Sequence, residues 1–69
     1  METVTIDLSD FDGFDFSNAE ILIYSSLGVL LEKIEDVEVK NFVNLPADNY
    51  TGVVVLGDKK LSFKLIVRD

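Results

Sequence analysis

Three stretches of this chain alternate apolar and polar residues with a period of two, and that pattern narrows the fold more than any other feature. Val4, Ile6 and Leu8 alternate with Thr3, Thr5 and Asp7. Over 37–43, Val37, Val39 and Val43 share one face, while Glu38 and Lys40 share the other with Phe42. Over 61–67, Leu61, Phe63, Leu65 and Val67 share one face, against Ser62, Lys64 and Ile66. Side chains of an extended chain point alternately to its two sides, so each stretch predicts a strand with one buried face. Two further stretches are apolar on both sides: Ile21-Leu22-Ile23-Tyr24 within 20–25, and Val53-Val54-Val55-Leu56 within 50–56. They predict strands covered on both faces.

Turn chemistry separates these segments. Ser9–Asn18 carries turn residues and aspartates, Ser25-Ser26-Leu27-Gly28 offers a glycine for positive φ, and Gly57-Asp58-Lys59-Lys60 is a short hairpin connection. Pro46 lacks a ladder donor and interrupts the chain between 43 and 50. One segment stays open. Leu27, Leu30, Leu31 and Ile34 have helical spacing, with Ser26 as a cap, yet Val29–Lys33 also reads as a strand and Gly28 weakens a first helical turn by about 1 kcal/mol. The expected fold is therefore an all-β, Ig-like antiparallel β-sandwich of six to seven strands, with an α+β arrangement carrying a helix at 26–36 as the alternative. The chain reads as a single domain over 1–69, the C-terminal part of a larger protein.

The strand count leaves an apolar surplus. A two-layer sandwich has one inner face per strand. The two doubly apolar strands then place about four aliphatic side chains outward, a contact face built from Ile21, Ile23, Val53 and Val55 and suited to self-association, unless the chain covers it itself. A domain of about 60 residues buries only about 60% of its unfolded surface, so dense packing or a neighbour must supply its stability.

Composition closes off several chemistries. With no His and no Cys, the chain has no Ser-His-Asp triad, no thiolate or imidazole metal site and no disulfide. Thirteen acidic residues against six basic ones argue against nucleic acid. The longest apolar runs are four residues long, such as Val53–Leu56, too short for a membrane span. Residues 1–3 lack the basic start of a secretory leader. The expectation is an interaction or signal module rather than an enzyme, with no catalytic residues and no cofactor. Asp7, Asp10, Asp12 and Asp15 form an acidic loop around Gly13. Calcium binding is one reading of it, but the EF-hand spacing fails, and a solvated loop anchored by Phe11, Phe14 and Phe16 is the other. Four of the six basic residues, Lys59, Lys60, Lys64 and Arg68, fall in the last eleven positions. Lys64 and Arg68 share one strand face, which suits either solubility or an acidic receptor.

The order of motifs carries a resemblance. Ile21-Leu22-Ile23-Tyr24-Ser25-Ser26-Leu27-Gly28, then Asn44-Leu45-Pro46-Ala47-Asp48-Asn49-Tyr50, then Gly57-Asp58-Lys59-Lys60 through Phe63-Lys64-Leu65-Ile66-Val67 follow one another across about residues 20–68. This resembles the type A C-terminal sorting domain of proteins exported by the type IX secretion system of Bacteroidota. Asp48 stands where that family has Gly, and the family's Asn-Pro start is absent. The resemblance implies a non-enzymatic address label, recognised by the outer-membrane secretion machinery and joined to an upstream cargo domain. It implies passage through the periplasm to the cell surface or medium. The recognition residues it implies are Leu45, Pro46, Tyr50, Lys64 and Arg68, with Gly28 and Asp48 shaping turns. The alternative function is an Ig-like accessory or adhesin-type module that self-associates.

Overall fold

The computed structural model describes residues 2–11, 13 and 15–68. Six strands follow in chain order: β1 (Glu2–Asp7), β2 (Glu20–Ser25), β3 (Leu30–Ile34), β4 (Lys40–Leu45), β5 (Asp48–Leu56) and β6 (Lys59–Val67). They form two antiparallel sheets, β1-β4 and β3-β2-β5-β6. The all-β sandwich expected from the alternation is the fold, with no helix among the described residues. The inner side chains of both sheets meet in one core: Ile6, Leu8, Val43 and Leu45 from the smaller layer side, and Ile21, Ile23, Tyr50, Val54 and Val67 from the larger.

The open segment at 26–36 is a hairpin. Gly28 has φ +85°, a left-handed conformation that ends any helical path. The Ser25 hydroxyl oxygen accepts from the N–H groups of Leu27 and Val29, each at 3.2 Å. Ser25 N–H also donates to the Val29 carbonyl at 2.8 Å, so the chain turns back at once and β3 pairs with β2. The helical spacing of Leu27, Leu30, Leu31 and Ile34 corresponds to no helix: only Ile34 turns toward the core, and the three leucines are exposed.

Two expectations about faces and bounds change. Antiparallel pairing sets Ile21 opposite Val54 and Ile23 opposite Gly52. That puts Ile21 and Ile23 on the inner face, where both are fully buried. The outward apolar set is Leu22 and Tyr24 with Val53 and Val55, all half-buried. The fourth strand covers 40–45 rather than 37–43, because residues 35–39 are the connector that carries the chain from one sheet to the other. Its inward residues are Asn41, Val43 and Leu45, while Val39 is exposed. Asn41 is the buried polar residue that fixes this crossing. Its amide nitrogen donates to the carbonyls of Glu38 (2.7 Å) and Ile6 (3.3 Å), and its oxygen accepts from the Glu38 N–H at 2.9 Å. A side chain so bonded enters a core without an unmet polar group.

Candidate partner-binding site

The corner between β4 and β5 sets the site. Leu45 ends β4 pointing inward, Pro46 and Ala47 cross between the sheets, and Asp48 opens β5. Pro46 suits that crossing because it has no N–H to leave unpaired. Asp48 is not in a left-handed turn conformation. Among the described residues only glycines have positive φ, and Asp48 is already paired with Val67. Its carboxylate accepts from the Asn49 N–H at 2.8 Å.

Tyr50 locks the corner from within. Its hydroxyl donates to the Pro46 carbonyl at 2.5 Å, four residues upstream. A tyrosine near the start of β5 thereby ties down the turn that precedes it. The ring is buried, and burial, with the Asp48 charge adding to it, pushes the phenol above its ordinary pKa. Leu45 and Tyr50 therefore hold the corner in shape, while Pro46, Lys64 and Arg68 are the exposed members of the expected set.

The β5–β6 hairpin brings the two halves of that set together. Gly57 (φ +63°) and Asp58 form a two-residue turn of type II′ pattern, so Leu56 pairs with Lys59. The ladder that follows puts Thr51 across from Lys64 and Asn49 across from Ile66. On the other side Ser25 is across from Tyr50. The first hairpin, the proline corner and the basic strand thus reach the same end of the larger sheet. A shallow cavity of about 370 Å³ lies there, lined by Ser26, Asn49, Tyr50, Thr51, Lys64 and Ile66. Sequence reading missed Ser26, Asn49, Thr51 and Ile66 as site residues. The two-residue turn at 57–58 was the signal, since it fixes every cross-strand partner of Lys64. The cavity offers one ammonium group, hydroxyl and amide groups and an exposed isoleucine.

Among the described residues the acidic loop gathers no cation site. Asp7 accepts from the Ser9 N–H and Asp15 from the Ser17 N–H, both at 2.9 Å, and these bonds hold both carboxyls below the ordinary aspartate range. Among the described residues no three acidic groups converge, and Asp12 and Phe14 lie outside them. Phe11 and Phe16 do anchor the loop, packing against the core. No helix among the described residues is long and apolar enough to cross a membrane. Comparison with protein-family models, with curated proteins and with solved structures returns no match.

Proposed function

We propose that this domain is an address label of the type IX sorting kind. It directs a cargo joined to it through the periplasm to the outer-membrane translocon, and so to the cell surface. One observation supports this reading above the rest. Residues from all three motifs that carry the resemblance, Ser26 of the first, Asn49 and Tyr50 of the second and Lys64 and Ile66 of the third, line a single cavity at one pole of the sandwich. A receptor approaching that pole meets Pro46, Lys64, Ile66 and Arg68 on a corner made rigid by Leu45 and Tyr50. The test is a reporter fused ahead of residue 3 and expressed in a host with this machinery. The wild-type fusion is exported, and Lys64→Glu with Arg68→Glu folds by circular dichroism but stays inside. Failure of the wild-type fusion to leave the cell, or export untouched by the charge reversal, refutes the proposal.

A second reading draws on a separate observation. At the β2–β3 hairpin Leu27 is 90% exposed, and Val29, Leu30 and Leu31 are exposed beside it. Such a patch on so small a domain suits an accessory or adhesin-type module that docks a neighbouring domain. Under that reading, binding to the neighbour depends on Leu27 and Leu30 and not on Lys64 and Arg68.

A further inference from the structure

We propose that this chain forms a two-fold symmetric dimer in which β6 pairs, antiparallel and edge to edge, with β6 of a second copy. β6 is an end strand of the four-stranded sheet, nine residues long, with no proline and an unbroken register on β5. The smaller sheet stops short of it. A groove of about 330 Å³ opens between β1 and β6, with Ile6, Leu8 and Phe11 on one side and Leu61, Phe63 and Leu65 on the other. A long, regular edge of this kind is a template for another strand.

The sequence of β6 selects its own copy as that strand. Leu56 and Lys59 flank a two-residue turn, so Lys59, Leu61, Phe63, Leu65 and Val67 direct their backbone N–H and C=O toward β5. Lys60, Ser62, Lys64 and Ile66 direct theirs away from it. Place the symmetry axis at Phe63, the midpoint of β6. Lys60 then meets Ile66 of the second copy and Ser62 meets its Lys64. All four residues with outward-directed groups are used, in about eight hydrogen bonds. On the inner face Leu61 meets Leu65 of the second copy, and Phe63 meets Phe63, as close cross-strand pairs.

Charge agrees with that register and rejects its neighbours. Just beyond the paired strands, Asp58 comes level with Arg68 of the second copy, twice by symmetry. Moving the axis to Lys64 sets two ammonium groups against each other. Moving it to Ser62 sets Lys60 against Lys64 of the copy. Like charges directly opposite oppose pairing. The dimer leaves the outer-face side chains of Lys60, Lys64 and Ile66 on an open sheet surface, and it does not rest on the address-label reading.

The experiment is sedimentation equilibrium on the whole chain from about 10 μM to about 1 mM, the range of a weak to moderate dimer. The wild type passes from monomer to dimer. Asp58→Arg and Arg68→Asp each raise the dimer Kd about tenfold or more, and the double variant Asp58→Arg/Arg68→Asp returns it to near the wild-type value. Ser62→Pro removes an outward N–H without touching the β5 ladder, and yields a monomer with an unchanged circular-dichroism spectrum. If Ser62→Pro fails to fold, the charge-reversal set still decides. A chain monomeric up to the highest concentration overturns the proposal. So does a dimer indifferent to the charge reversals, including one built on the β1 edge or on the β2–β3 hairpin.

Discussion

Gly52 and Phe63 show how one cross-strand pair ties a backbone to a ring. They face each other across β5 and β6, and a Cβ built on Gly52 would overlap the Phe63 ring. Gly52 is buried because that ring lies over it, filling the space a side chain would take. Gly52→Ala forces the ring off its rotamer or the strands apart, and is expected to cost about 1–3 kcal/mol. In a Phe63→Ala background the same substitution costs much less, so a double-mutant cycle by urea unfolding returns a coupling well outside additivity. Equal costs in the two backgrounds would mean that the ring does not constrain Gly52. Tyr50 makes the second residue-scale case. Tyr50→Phe keeps the ring and loses its bond to Pro46, and the loss of one hydrogen bond in a domain of this size lowers Tm by about 4–8 °C. The phenol's raised pKa adds a pH signature. The folded state holds this proton more tightly than the unfolded chain, so its contribution is complete below the ordinary tyrosine pKa of about 10 and is lost as pH rises through the higher folded value. Wild type and Tyr50→Phe should therefore converge in Tm on the alkaline side, and parallel curves would contradict the assignment.

At the scale of elements, the β2–β3 hairpin separates what local pattern reveals from what pairing adds. Its turn was legible, because Ser25 and Gly28 have the chemistry a tight reversal needs. Its flanking leucines were not decisive, since leucine at three- and four-residue spacing fits a helix as well as an edge strand. The turn settles the matter: Gly28 at φ +85° has open space around it, so alanine there meets no clash and bears only backbone strain. Gly28→Ala is expected to cost about 1–2 kcal/mol with the fold retained, and Gly28→Asn less, as chemical denaturation will read. An Ala variant as stable as wild type would show that the hairpin does not depend on the left-handed residue. The inward face of β2 was illegible for a related reason. Ile21-Leu22-Ile23-Tyr24 is apolar on both sides, and only its register on β5 makes Ile21 and Ile23 the inner pair. Asn41 falls by alternation on the valine face, but an asparagine is seldom a core residue, and its bonds to Glu38 and Ile6 are what make that burial possible. At the site, Lys64 and Pro46 were named from motif order, while Thr51 and Ile66 needed the ladder.

Across the whole molecule, two electrostatic effects of opposite sign bear on stability in acid. The chain carries a net charge of −7 at pH 7, and its self-repulsion opposes the compact state. Protonating carboxylates toward the pI of about 4.2 relieves that repulsion, and so does salt at neutral pH. Against this stand Asp7 and Asp15, whose backbone hydrogen bonds hold their pKa values below the ordinary aspartate range. For a depressed pKa the unfolded chain takes up the proton first. The stabilisation is whole above the unfolded value of about 4 and disappears as pH falls through the folded one. The two effects predict a Tm that rises modestly from pH 7 toward about pH 5 and falls below about pH 4. Added salt raises Tm at pH 7 and has little effect near the pI. Asp7→Asn and Asp15→Asn separate the two contributions. Each removes one negative charge and so eases repulsion at pH 7, yet each also exchanges a charged acceptor for a weaker neutral one. If the turn bonds to Ser9 and Ser17 govern the acid limb, both variants show a shallower fall below pH 4 than wild type. An acid limb of unchanged slope in the double variant would assign the fall to other carboxylates.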